Sequence, residues 1–130
     1  MHCTRFARPL LATALLLGSA LAQALTLAPY SAQALAKAQQ VGEPVALHFH
    51  AIWCPTCAAQ TKVFKAMQAD AKSPHITVLV ADYDKEVALK KQLKVLQQST
   101  LIVYKGVTEK ARSSGETQAE ALTMLLQAAL

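Results

Sequence analysis

The stretch Ile76-Thr77-Val78-Leu79-Val80-Ala81 is a continuous run of apolar and β-branched residues, and a strand of that kind has to be covered on both faces. A sheet with one wet face would alternate apolar with polar residues, and this run does not. Helical patterns flank it on both sides in sequence. The chain is therefore expected to be a layered α/β domain with this strand inside. At 130 residues there is room for one such domain and one core.

The other elements can be read around that strand. Ser31 is an N-cap candidate for an alanine-rich helix reaching about Gln40, which Gly42-Glu43-Pro44 breaks. Val45 to His50 alternates as a strand, with Val45, Leu47 and Phe49 on one face and Ala46, His48 and His50 on the other. A helix is predicted from Cys54 to about Ala71, burying Val63, Phe64 and Met67, and Ser73-Pro74 ends it. After Asp84 a further helix places Leu89, Leu93 and Leu96 on one stripe. Leu101 to Tyr104 reads as a buried strand, Gly106 as a turn, and Glu109 to Ser113 as its hairpin partner. Thr117 is expected to cap a last helix with a stripe of Leu122, Leu125, Leu126 and Ala129. No repeat or low-complexity linker interrupts this order.

At the first junction from strand to helix stands Trp53-Cys54-Pro55-Thr56-Cys57. Two intervening residues let both sulfurs meet across one turn as a dithiol or a disulfide. Proline after the first cysteine suits the first position of a helix, where its missing N–H is not needed, and this puts Cys54 at the helix N-terminus. A thiolate there is stabilised by free N–H groups and the positive end of the helix dipole. Cys54 is accordingly the expected nucleophile, and Cys57, one turn inside, the resolving thiol.

The N-terminus resembles an export signal. Arg5 and Arg8 precede an apolar run from Leu10 to Ala22, and Ala20, Ala22 and Ala24 form an A-x-A pattern. The run is shorter than the ~20 apolar residues of a spanning helix. Residues 1–24 are read as a signal peptide cut after Ala24, or after Ala22, and 25–130 as the mature domain in the periplasm or another exported location. Cys3 is then removed, leaving Cys54 and Cys57 as the only cysteines. A bridge across two residues closes almost no loop, so the pair is better explained by chemistry than by stability. Losing Arg5 and Arg8 lowers the net charge from +5 to +3, too mild and scattered for a nucleic-acid partner. Lys90, Lys91 and Lys94 are read as a solvated helix face.

Phe49-His50-Ala51-Ile52-Trp53-Cys54-Pro55-Thr56-Cys57 resembles the active-site strand and loop of the thioredoxin family. Gln97-Gln98-Ser99-Thr100-Leu101-Ile102-Val103-Tyr104-Lys105-Gly106 is similar to the segment that faces the dithiol there. The resemblance implies a thioredoxin-like α/β fold, a central mixed β-sheet flanked by helices. It implies a thiol-disulfide oxidoreductase that exchanges disulfides with protein substrates, with no cofactor because the electrons reside in the cysteine pair. Matched onto this chain, Cys54 attacks and Cys57 resolves. Trp53, Ser99 and Thr100 line the substrate surface, with a core position the alternative for Trp53.

Two positions depart from the family pattern. Ser99 stands where the family usually has a cis-proline, and a non-proline cis bond costs ~3 kcal/mol or more. Ser99 and Thr100 are still expected to face Cys54. His48 stands where a buried acid often helps remove the proton of the resolving thiol, and is read either as that proton acceptor or as a buried histidine satisfied by a hydrogen bond. His50 lies nearer the strand end and either influences the thiolate or fills space, while His75 is a surface residue. The short connection between Met67 and Ile76 has no room for the inserted helical domain of large exported disulfide oxidases. That favours a small monomeric protein recharged by a membrane electron donor, without which the pair would accumulate as disulfide. A second class is metal handling, with Cys54, Cys57 and His50 or His48 binding copper or zinc, although this leaves a fourth zinc position empty. A binding module without turnover is the third, and the intact cysteine pair argues against it.

Overall fold

The computed structural model describes residues 24–130. The leader-like run with Cys3, Arg5 and Arg8 lies outside the described residues. The elements follow the order β1 (Leu25–Pro29), α1 (Ala32–Gln40), β2 (Pro44–His50), α2 (Pro55–Ala69), β3 (Ile76–Asp82), α3 (Val87–Leu93), β4 (Thr100–Lys105), β5 (Thr108–Ser114) and α4 (Ala119–Gln127). They form a five-stranded sheet in the order β1-β3-β2-β4-β5. β3 pairs in parallel with β1 and β2, and β4 pairs antiparallel with β2 and β5. This is the mixed sheet with helices on both faces that the sequence predicts.

The two faces follow from the period-two alternation of the central strands. Val45, Leu47 and Phe49 of β2 join Leu79, Ile102 and Tyr104 in one apolar cluster, against which Ala34, Leu35 and Ala38 of α1 and Leu89 of α3 pack. On the opposite face Ala46, Val78, Leu101 and Val103 meet Phe64 and Met67 of α2 and Leu122 and Leu126 of α4. Burying a side chain such as Phe64 contributes about 1.5–3 kcal/mol. Ser31 caps α1 as expected, its hydroxyl accepting the N–H of Ala34 at 3.0 Å.

Four features differ from the sequence reading. Leu25–Pro29, adjacent to the leader-like run, forms an edge strand that pairs only with β3, so its half-buried pattern carries little signal. Leu96 is 90% exposed, because α3 stops at Leu93 and Lys94, with φ +55, turns the chain so that Val95 is buried instead. Gln118 rather than Thr117 is the N-cap of α4, and no side chain caps it. The N–H groups of Thr117 and Gln118 instead donate to the carboxylate of Glu116 at 2.8 and 2.7 Å. Lastly, α2 ends at Ala69, and its buried stripe is Cys57, Gln60, Phe64 and Met67, with Val63 only partly covered.

Candidate functional site

β2 delivers the chain to the cysteine turn. Beyond His50 the N–H of Cys54 donates to the carbonyl of Ala51 at 3.1 Å, closing a tight turn that lifts Ile52 and Trp53 outward. Cys54 is the N-cap of α2 in extended conformation, and Pro55 opens the helix. The Sγ of Cys54 accepts the N–H of Cys57 at 3.0 Å, so the sulfur occupies the place of a capping oxygen. A thiolate at that atom receives this donor and the helix dipole together. Cys54 and Cys57 are bridged, with Cα atoms 5.3 Å apart. Cys57 is fully buried and Cys54 3% exposed, so the outer sulfur is the one within reach of another molecule.

Exposed apolar residues surround that opening. Ile52 is 96% and Trp53 57% exposed. Trp53 is thus a surface residue, not a core aromatic. Its indole N–H donates to Asp84 at 2.8 Å, and Asp84 is tied by its own N–H to the Asp82 carboxylate at 3.0 Å. Tyr83 packs under Ala51 and the cysteines. Lys90 sits 3.6 Å above the Tyr83 ring, and the Tyr83 hydroxyl donates to the carbonyl of Leu96 at 3.2 Å. One lysine of the predicted solvated face is therefore a packing partner, and exposed Leu96 is held to the rim of the site.

Ser99 and Thr100 reach the end of β2 from the other side. The Ser99 N–H donates to the carbonyl of Phe49 at 2.8 Å, and the same oxygen lies 3.9 Å from the Sγ of Cys57. Among the described residues there is no cis peptide bond, and Ser99 adopts φ +59. Its hydroxyl donates to the carbonyl of Gln98, and the Thr100 hydroxyl donates to that of Gln97 at 2.8 Å while meeting Ser114 at 2.7 Å. Both residues are buried. Their side-chain hydrogen bonds are spent on holding their own loop and the adjoining β5.

Behind the cysteines lies a buried polar strip. His48 is fully buried on the α2 side of β2, with its ring edge-on to Phe64 and to His50 at centroid distances of 5.2 and 5.6 Å. Its Nε2 is 2.8 Å from the Oε1 of Gln60. Burial pushes the imidazole pKa down to about 4; the Gln60 bond opposes the shift and neighbouring His50 adds to it. Gln60 in turn donates to the carbonyls of Ser99 and Glu116 at 3.0 and 2.8 Å. Sequence reasoning missed Gln60. The available signal was a polar residue one turn after Cys57 and one before Phe64, on a helix face that had to be buried. His50 is half-buried at the strand end and His75 is exposed. Among the described residues no group of three or more His, Cys, Asp or Glu side chains is arranged to hold a metal ion.

Comparison with known proteins gives concordant matches. Residues 27–128 match the family described as thioredoxin. A thioredoxin of Chlamydia trachomatis is 34% identical over 82 residues, spanning 63% of this chain and 78% of that protein. The crystal structure of Trxlp from Edwardsiella tarda superposes with a TM-score of 0.72 at 37% identity, covering 78% of this chain and 98% of that one. A mutant thioredoxin from Halobacterium salinarum, 20% identical with a TM-score of 0.67, covers 85% of this chain and 94% of its own and shares the fold.

Proposed function

The chain belongs to the thioredoxin family and is a thiol-disulfide oxidoreductase; from that premise we propose that it acts after export, as a monomer, on disulfides of protein substrates. In the reduced protein the Cys54 thiolate attacks one sulfur of a substrate disulfide. An S–S bond to Cys54 forms as the substrate bond breaks, and the first substrate sulfur leaves as thiolate. Cys57 then loses its proton to His48 and attacks the Cys54 sulfur, expelling the second substrate sulfur. Two electrons pass to the substrate, and the protein is left with the Cys54–Cys57 bridge. Burial keeps His48 neutral at physiological pH, which leaves a ring nitrogen free to accept the proton. A pKa of about 4 makes it a weaker base than a solvated imidazole, and any proton it takes is held only transiently. Ile52, Trp53 and Leu96 offer an apolar rim for the substrate chain, with Ser99 and Thr100 shaping the wall beneath.

The observation that carries this reading is the sulfur of Cys54 standing as the cap of α2 and accepting the Cys57 N–H. Its test is insulin reduction together with equilibration in glutathione buffers. Cys54→Ser is expected to abolish turnover, and a potential near about −270 mV marks a reductant whereas one near about −120 mV marks an oxidant. A protein that stays redox-inert under these conditions refutes the proposal.

Export rests on the leader-like composition of the first residues, which precede the family match at residue 27. Of the two cleavage sites, the one after Ala22 keeps Ala24, which is buried and whose carbonyl accepts the N–H of Ile76 at 3.1 Å. The intact mass of protein recovered from the periplasm of an expression host distinguishes the two cuts, and recovery of the full-length chain in the cytosol refutes export. A membrane electron donor follows from the same location, since an oxidising compartment does not recharge a dithiol.

A further inference from the structure

Gln60 is fully buried, and both hydrogens of its amide are engaged in a way that fixes the direction of the bonds around it. The carbonyls of Ser99 and Glu116 can only accept, so the group between them at 3.0 and 2.8 Å must be the NH2 end. Its Oε1 therefore points at His48 Nε2, 2.8 Å away. Because an amide oxygen only accepts, Nε2 must carry the ring hydrogen. In the neutral ring Nδ1 then holds a free lone pair. That nitrogen is buried and has no hydrogen-bond partner among the described residues. A buried acceptor without a partner is destabilising and calls for an explanation, of which a catalytic role is one.

We propose that Gln60 is a positioning residue: it selects Nδ1 of His48 as the base, and it locks that base and the Ser99 loop into one hydrogen-bonded unit across the site. This deepens the proposed role of His48 as proton acceptor and rests on it. The three partners come from separate elements. His48 is on β2, Ser99 precedes β4 and Glu116 precedes α4, while Gln60 sits one turn after the resolving cysteine. A substrate that displaces the Ser99 loop would pull on Gln60 and so on the imidazole, coupling the outer wall of the site to its inner base.

Among the described residues, few other titratable groups bear on this ring. His50 lies edge-on along β2, and the thiol of reduced Cys57 is on α2 beside Gln60. Across the sheet His48 registers with Val80 of β3 and Leu101 of β4, which carry no charge; Asp82 registers with His50. The Glu116 carboxylate is occupied by the N–H groups of Thr117 and Gln118.

The experiment combines ring tautomer with a double-mutant cycle. Long-range proton–nitrogen NMR on reduced wild-type protein is expected to show His48 with Nε2 protonated and Nδ1 imine-like. The Nδ1-protonated form overturns the proposal even if no variant folds. Single-turnover release of reduced insulin at saturating substrate is then followed from acid to alkaline pH. A positioned base contributes about 10²–10⁴-fold, and Gln60→Met is expected to forfeit about tenfold of this and to shift the pH profile. In a His48→Phe background the same Gln60→Met change is expected to have no further effect on the rate. Equal losses in both backgrounds overturn the positioning role and leave Gln60 a structural residue. If His48→Phe alone leaves the release rate and its pH profile intact, it is the proton-acceptor reading that fails, and the proposal falls with it.

Discussion

The two faces of the sheet are built from the same strand yet are put to different uses. Toward α1 and α3, Val45, Leu47 and Phe49 make a face that is apolar along its whole length. Toward α2 and α4 the strand changes character partway, from Ala46 in the apolar core to His48 and His50 near the cysteines. One face can therefore tolerate loss only as loss of stability. The other holds its polar groups by hydrogen bonds whose partners are scattered through the chain, so a change there is expected to appear in chemistry and pH dependence as well. Each substitution should thus carry the signature of its own face.

The largest effect is expected at the sulfur where the polar strip meets solvent. Cys54→Ser should reduce insulin turnover by about a thousandfold or more while leaving the fold intact, because the thiol that remains, Cys57, is fully buried and out of reach of a substrate disulfide. Cys57→Ser should instead accumulate a mixed disulfide at Cys54, visible as a mass increase under non-reducing conditions. If Cys57→Ser rather than Cys54→Ser blocks the first attachment, the assignment of outer and inner thiol is reversed.

On the apolar face, Leu47 lies between Leu79 and Ile102 in the sheet register and is fully buried. Leu47→Ala should cost about 2–5 kcal/mol, from lost transfer energy and the cavity left behind. The prediction that sharpens the contrast is that reduction potential and pH profile stay at wild-type values in the folded fraction. Denaturant melts paired with glutathione equilibration measure both. A shifted potential in Leu47→Ala would break the division between the faces.

His48 gives the opposite signature. Its folded pKa of about 4 lies below the ordinary value of 6.5, so between these pH values the unfolded chain binds the proton and the folded protein does not. The favourable difference is complete above pH 6.5 and is lost as pH falls toward 4, to the extent of about 3 kcal/mol. His48→Leu should remove that part of the acid sensitivity, leaving a flatter stability curve, although the stranded Gln60 oxygen lowers stability at every pH. Urea midpoints taken across this range test it. An acid limb of unchanged steepness would mean that His48 is not held neutral by burial.

What could be read from the sequence and what could not divide along the same physical line. The cysteine turn was legible because its determinants are neighbours: a proline at the first helical position, a sulfur at the cap, an apolar strand before it. The placement of His48 was legible too, since alternation in β2 fixes a face without knowledge of the partner. Gln60 was not, because its role depends on His48, Ser99 and Glu116, residues 12, 39 and 56 positions away. β1 escaped for a similar reason, its partner strand beginning with Ile76. Leu96 was misplaced because the helical period was carried through Lys94, whose left-handed backbone is not signalled by a glycine.

Ser99 tests the smallest term. A residue other than glycine at φ +59 carries a steric cost, since Cβ crowds the following backbone, of about 1 kcal/mol. Three bonds hold it there: its N–H on Phe49, its carbonyl receiving Gly115 at 3.0 Å, and the same carbonyl receiving Gln60. All three are backbone groups of Ser99, so Ser99→Gly keeps them and relieves the strain. It loses only the hydroxyl bond to Gln98 and some order in the unfolded chain's favour. The net change in stability is expected to stay within about 1 kcal/mol of wild type, with release rate and His48 tautomer unchanged. Ser99→Gly thus separates the side chain of the loop from its backbone. A large loss of rate would place the Ser99 hydroxyl in the chemistry itself, whereas an unchanged rate leaves the carbonyl held by Gln60 as the part of the loop that matters.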